Sequence, residues 1–280
     1  MREIDISQII ETVKTLCIEA NYNLSEDIYG RLEEALEEEE QPLSKDILSK
    51  ILENADIAKR EQVPMCQDTG MACVFVEIGQ EVHITGGSLE EAINEGVRRG
   101  YQEGYLRKSV VKDPIFRENT KDNTPAIIYY DIKPGDKLKI TIAPKGFGSE
   151  NMSQLAMLKP SDGIEGVKRF ILKVVIEAGS NPCPPIVVGV GIGGSFDKAA
   201  LLAKKALLRP INQRNENPYY ADLEKEMLKA INKSNIGPQG FGGLTTALAV
   251  NIETFPTHIA GLPVAVNINC HATRHVEREI

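Results

Sequence analysis

Three cysteines stand where the backbone must turn: Cys66 in Pro-Met-Cys-Gln-Asp-Thr-Gly, Cys183 in Asn-Pro-Cys-Pro-Pro, and Cys270 in Asn-Ile-Asn-Cys-His-Ala-Thr-Arg-His. Three thiolates can hold a [4Fe-4S] cluster and leave one iron open, whereas four would close it into an electron carrier. An open iron is a Lewis acid that can bind a hydroxyl and ease its departure, which points to hydro-lyase chemistry. The other two cysteines read as core. Cys17 continues the apolar stripe Ile9, Ile10, Val13, Leu16, and Cys73 lies inside Met71-Ala72-Cys73-Val74-Phe75-Val76. Spacing alone does not decide the matter, because no C-x-x-C pair is present. An odd count of five, in a long chain without a secretory signal, argues against a disulfide framework.

Around these cysteines lie groups able to move protons or hold anions. Asp68, two residues after Cys66, is placed for general acid–base work; an Asx-turn closing on Gly70 explains it equally well. His258, in Phe-Pro-Thr-His-Ile-Ala-Gly-Leu-Pro, reads as a proton shuttle or as a surface residue. His271 and His275 flank Arg274 just after Cys270; they would orient the thiolate, contact an anion, or belong to a solvated C-terminal tail. Arg107 and Lys108 would clamp a carboxylate or simply match the dipole at a helix C-terminus. Three glycine-rich segments, 144–151, 189–195 and 237–243, would let backbone N–H groups approach an anion. None has the spacing of a dinucleotide or P-loop motif.

The elements that must position these groups alternate between helix and strand. The pattern predicts helices over 6–23, from 25, and from 44 toward 59, forming an N-terminal helical layer over residues 1–62. Glu37–Glu40 reads as a solvated helix end. Strands are expected at 72–78, 126–131, 137–143, 186–192, 247–253 and 264–269, and helices at 88–105, 164–178, 197–208 and 219–233. The fold class is mixed α/β (α+β): the helical layer, then mixed sheets flanked by helices. No internal repeat or linker is visible, so residues 1–280 read as one cluster-binding catalytic domain. A net charge of −8 argues against nucleic acid as a partner. The absence of a long apolar run argues against a membrane span, and a cytoplasmic location is the default. The chain stops ten residues after Cys270, so either the terminus folds back or another chain closes that side.

Taken together, Pro-Met-Cys-Gln-Asp-Thr-Gly, Pro-Lys-Gly-Phe-Gly-Ser-Glu-Asn, Asn-Pro-Cys-Pro-Pro, Gly-Ile-Gly-Gly-Ser, Gly-Pro-Gln-Gly-Phe-Gly-Gly and Pro-Thr-His-Ile-Ala-Gly-Leu-Pro-Val-Ala-Val-Asn resemble the iron–sulfur (class I) fumarate hydratases. The resemblance is to the α subunit of the two-subunit form, with L-tartrate dehydratase as a close relative. It runs nearly end to end. It implies a [4Fe-4S] cluster on Cys66, Cys183 and Cys270, and an acid/base pair of Asp68 and His258. It also implies substrate contacts at Gln67, Arg107, Gly148 and Ser149. The substrate class is a small dicarboxylate such as fumarate or malate. Single-chain members carry a second domain that supplies further Arg and Lys residues and a Thr base. The resemblance therefore implies a separate β subunit and a hetero-oligomer. Two other readings are a non-catalytic iron–sulfur protein and a zinc hydrolase with Cys and His ligands.

Overall fold

The computed structural model describes all of residues 1–280, which divide into two compact, interleaved units. Unit 1 comprises residues 1–24, 54–146 and 274–280; unit 2 comprises 25–53 and 147–273.

Unit 1 begins with a short strand, β1 (Arg2–Asp5), and helix α1 (Ile6–Tyr22). The Asp5 carboxylate caps α1 by accepting from the Ser7 backbone N–H at 2.9 Å, which satisfies one of the orphan donors of a helix start. Helix α2 (Glu26–Glu38) belongs to unit 2. Helix α3 (Pro42–Glu61) starts in unit 2 and ends in unit 1. Strand β2 (Met71–Gly79) is the centre of the unit 1 sheet, followed by β3 (Val82–Thr85) and helix α4 (Leu89–Glu103). Strands β4 (Ile127–Lys133) and β5 (Leu138–Lys145) complete the middle of the unit. β2 runs parallel to β4 and antiparallel to β5. The last strand, β10 (Val276–Glu279), pairs antiparallel with β5, giving the order β10-β5-β2-β4. The pairing of β1 with β3 makes a separate two-stranded ribbon.

Helices α1 and α4 cover this sheet. Ile9, Val13, Leu16 and Cys17 from α1 join Ile93, Val97 and Tyr101 from α4 over Val74, Val76, Ile140 and Ile142. The helices approach closely through Gly96, where a Cβ would stand 2.6 Å from the Val13 Cβ.

Unit 2 contains a helical turn, α5 (Phe147–Glu150), strand β6 (Gln154–Leu158) and helix α6 (Gly163–Ala178). There follow β7 (Ile186–Gly193), α7 (Phe196–Ala206), α8 (Pro218–Asn232), β8 (Ala247–Phe255) and β9 (Leu262–Asn269). The sheet order is β6-β9-β7-β8. Every residue of β7 is buried, as expected for a central strand with both faces covered. Its glycines admit α7: a Cβ at Gly191 would lie 2.1 Å from the Ala199 carbonyl oxygen. On the other side α6 and α8 pack through Ile171, Val174, Val175, Met227 and Ile231.

The expected elements are present, with boundaries within a few residues of the sequence reading, and the mixed α/β class stands. Four details differ. The third helix begins at Pro42, not Ser44, because the buried Ser44 hydroxyl instead donates to the Gly242 carbonyl at 2.7 Å. Glu39, inside the acidic run read as solvated, is 2 % exposed. Its carboxylate accepts from the backbone N–H groups of Glu40, Gln41 and Leu244, which is why it is drawn inward. The C-terminal segment is not a solvated tail, since β10 lies in the unit 1 sheet. Finally, both sheets share one strand pattern, although no repeat is visible in the residues.

Candidate functional site

In unit 1 the loop entering β2 carries Cys66, Gln67 and Asp68. The end of β5 lies beside it, since Met71 pairs with Lys145. The contact is tight: Gly70 has φ +74°, and a Cβ there would fall 2.6 Å from the Lys145 backbone. Three buried side chains then hold three consecutive carbonyls of the loop. Arg274 donates to Asp68 O. The Tyr101 hydroxyl donates to Thr69 O at 2.9 Å and Gly70 O at 3.0 Å. The Asn123 amide donates to Gly70 O at 3.2 Å. Burial pushes the Tyr101 pKa far up, so its hydroxyl stays a donor across the working pH range.

Within this loop Cys66 and Asp68 are half-buried and Gln67 is exposed. Asp68 Oδ1 accepts the Gly70 N–H at 3.0 Å, so the Asx-turn is real. That bond occupies one carboxylate oxygen. The other, Oδ2, faces Gly146, where a Cβ would stand 3.1 Å away. The turn and an acid/base role are therefore compatible, since Oδ1 fixes the carboxyl while Oδ2 lies toward Gly146.

Arg107 is tied to the same loop by its backbone, which accepts from the Thr69 hydroxyl at 3.2 Å. Its guanidinium is exposed. Asn123, fully buried, also accepts from the Ser109 N–H at 2.7 Å, so the segment after Arg107 and the end of the Cys66–Gly70 loop are anchored on one amide.

Unit 2 has a corresponding corner. Cys183 precedes β7, Cys270 follows β9, and Val187 pairs with Asn269. The His271 backbone N–H donates to Cys183 O at 3.3 Å. Gln239 Nε2 donates to Pro184 O at 2.8 Å and stands 3.1 Å from His271 Nδ1. His271 Nδ1 also lies 3.0 Å from Cys183 O, so the ring is held between the Gln239 amide and that carbonyl. Cys183 and Gln239 have φ of +54° and +52°, an unfavourable region for residues with side chains. Such outliers gather at functional sites. The α5 turn adjoins this corner: a Cβ on the exposed Gly148 would meet Asn181 O at 3.7 Å, and Ser149 is buried.

His258 lies elsewhere in unit 2. It is exposed in the β8–β9 connection, where Nδ1 accepts the Ala260 N–H at 3.2 Å. That connection meets the far end of β7, with Gly194 N–H donating to Pro256 O. β7 has eight residues. At about 3.3 Å per residue, His258 is roughly 23 Å along the sheet from the corner bearing Cys183 and Cys270.

Cys66, Cys183 and Cys270 are thiols outside any disulfide, and each is at least partly exposed. Cys17 and Cys73 are buried in the core, as their apolar contexts predicted. Burial pushes the Cys17 thiol up to about 12. No three His, Cys, Asp or Glu side chains are assembled for a metal ion. The donor chemistry at the three turn cysteines suits a thiolate-bound cluster, because their sulfurs can be reached from outside the core while those of Cys17 and Cys73 are enclosed.

Two residues of these corners carried no distinct signal in the sequence. Gln239 was embedded in a motif read only for its glycines. Arg274 was read with the C-terminal tail, yet it is 4 % exposed. No helix is long and apolar enough to cross a membrane.

Comparison with known proteins gives the chain a family. Residues 10–279 match the family model described as fumarate hydratase (Fumerase). A Methanocaldococcus jannaschii protein named "Putative L(+)-tartrate dehydratase subunit alpha" is 47 % identical over 279 residues, covering 98 % of each chain. The L(+)-tartrate dehydratase subunit alpha of Escherichia coli K12 is 31 % identical over 274 residues, covering 96 % of this chain and 89 % of its own. With a family match across nearly its whole length, and a relative 47 % identical over 98 % of each chain, this chain belongs to the fumarate hydratase family of hydro-lyases.

Proposed function

We propose that the chain is the α subunit of a two-subunit hydro-lyase that interconverts fumarate and L-malate by trans addition of water. The observation that carries this reading is the Cys66-Gln67-Asp68 loop, rigidly held by buried donors and presenting a thiol and a carboxyl side by side. Cys66, Cys183 and Cys270 would hold a [4Fe-4S] cluster. When bound, the cluster supplies a Lewis acid that eases departure of the hydroxyl.

The chain's own residues do the rest. Asp68, fixed through Oδ1, donates a proton from Oδ2 to the leaving hydroxyl, which departs as water; hydration reverses that transfer. Arg107, exposed and anchored beside Asp68, pairs with the substrate carboxylate on which charge develops. Gln67 and the Gly148–Ser149 turn orient the substrate. The β subunit takes the proton from carbon; the α-subunit names of the relatives support such a partner. His258 serves as the proton partner of Asp68. Its place at the far end of the unit 2 sheet means that it reaches a site at Cys183 and Cys270 only from a second copy of the chain.

A second reading is L-tartrate dehydration to oxaloacetate, favoured by the names of both relatives. The substrates differ by one hydroxyl, and discrimination on such a group rests on a few pocket contacts. Anaerobic co-expression with the candidate β chain, followed by kcat/KM for fumarate, L-malate and L-tartrate, tests both. Faster fumarate turnover sustains the first reading, and faster tartrate turnover replaces it with the second. No turnover of any of these by a cluster-loaded complex would overturn both.

A further inference from the structure

The least balanced group in the chain is the guanidinium of Arg274. It is 4 % exposed. One of its nitrogens, Nη2, donates to Asp68 O. The other two, Nε and Nη1, are buried with no hydrogen-bond partner. A buried cation ordinarily carries a carboxylate partner, because desolvating it alone costs several kcal/mol. At another buried site the chain supplies such a partner: Arg209 pairs with the fully buried Glu224. Arg274 has only a neutral carbonyl.

We propose that Arg274 is a positioning residue with two tasks. Its Nη2 holds the Cys66–Asp68 backbone, and its charge is the built-in counter-ion of the anionic iron–sulfur cluster ligated beside it. Three observations converge on this. The bonded carbonyl lies two residues from Cys66, so the cation sits next to a proposed ligand. Arg274 also follows Cys270 by four residues, so the cation stands close in the chain to a second proposed ligand. Its two unpartnered donors, finally, are shielded from solvent, so an anion that balances them belongs to the protein or to a group it holds. A cluster carried by three thiolates is such a charge. In the low-dielectric interior it need not touch the guanidinium to be stabilised by it. The inference rests on the cluster reading above and adds a role for a residue outside the ligand set.

The test uses the full-length chain, reconstituted anaerobically with iron and sulfide, alone and with its β chain. R274Q keeps a neutral donor for Asp68 O and removes the charge, whereas R274K keeps the charge and loses the fork. Outer-shell partners of a metal centre are typically worth about 10–100-fold in affinity. R274Q is expected to hold iron about 10–100-fold more weakly in a chelator challenge. Its cluster midpoint should also move to more negative potential, because a nearby positive charge favours the reduced form. R274K should recover most of both. Equal losses in the two variants would reduce Arg274 to a structural hydrogen bond and overturn the proposal. A raised KM in R274Q, with iron retention and potential unchanged, would reassign the charge to a substrate carboxylate and overturn it as well. A wild-type chain that takes up no cluster would remove the cluster reading itself, an outcome distinct from either.

Discussion

In unit 1, β2 stands between β4, which is parallel to it, and β5, which is antiparallel; in unit 2, β7 stands in the same way between β8 and β9. In each sheet the loop entering the central strand therefore meets the end of the antiparallel neighbour. That corner carries Cys66 in one unit and Cys183 with Cys270 in the other. The candidate ligands thus occupy one topological position used twice. The finishing differs. The unit 1 corner is clamped by buried side chains on its carbonyls and keeps a carboxyl, Asp68, at its surface. The unit 2 corner is stiffened by prolines and a positive-φ cysteine. Its nearby carboxylate, Glu150, is committed to Lys204 and Asn267, each at 2.7 Å. Topology chooses where the cysteines go, and local packing decides how each corner is held.

The largest expected effect separates corner cysteines from core cysteines. Cys66→Ser, Cys183→Ser and Cys270→Ser should each abolish the iron–sulfur absorbance and activity. Cys17→Ala should keep both, because Cys17 is fully buried between helices of unit 1. An intact cluster in Cys270→Ser would mean that the two corners do not share one centre.

Next comes the contrast between the two carboxylates. Asp68→Asn should load its cluster and lose about 10²–10⁴ in kcat, the span of general acid–base catalysis. Glu150→Gln should keep kcat near wild type and lose stability instead. It weakens charge-assisted bonds worth about 1.5–3 kcal/mol when buried, and less here because Glu150 is about one quarter exposed. Steady-state kinetics alongside thermal unfolding of each variant reads both. If Glu150→Gln were the catalytically dead variant, the assignment of the proton to the unit 1 corner would be inverted.

The central strands offer a third contrast. β7 passes under α7 at backbone distance, so Gly191→Ala drives a methyl into the Ala199 carbonyl. Overpacking of that kind costs about 1–3 kcal/mol, and backbone on the receiving side leaves little room to relax. β2 has no interior glycine; in unit 1 the close approach lies between helices instead, at Gly96 against Val13. Urea denaturation of Gly191→Ala should show a lower midpoint with an unchanged m-value. Wild-type stability would show that α7 can lift away from the strand.

Much of this was legible in the residues. The apolar run of β7, the helical stripe of α4 and the cysteines set among prolines and glycines each report a local cause, so periodicity and turn chemistry found them. The short edge strands β1, β6 and β10 were not foreseen, because four or five residues carry too little alternation to stand out. The doubled sheet was hidden for a different reason. Its two halves agree in strand direction and order, which hydrogen bonding sets, while their residues differ because one packs helix on helix and the other helix on strand. Arg274 escaped because a basic residue near a chain end ordinarily reads as solvated. Only the pairing of β10 with β5, which draws the terminus into a sheet, shows it buried. His258 had the right chemistry in the sequence, but its distance from the cysteine corner depends on strand direction, which no residue reports.

The smallest effect tests whether the two corners are mechanically independent. The Tyr101 hydroxyl bonds two carbonyls of the Cys66–Gly70 loop, whereas the start of β7 is held by backbone pairing, with Ile186 N–H donating to Thr246 O at 2.9 Å. Tyr101→Phe leaves the ring packed and removes only the donor; Gly70 O keeps the Asn123 amide, and the loss at Thr69 O should cost about 1–3 kcal/mol. If that cost is local, amide hydrogen exchange should quicken at Gly70, whose N–H closes on Asp68, and stay unchanged at Ile186. Exchange that quickens at both amides would show the corners opening as one unit. In that case the Asp68 loop could not be tuned separately from the two unit 2 thiols, and the division of labour between the sheets would hold for chemistry but not for motion.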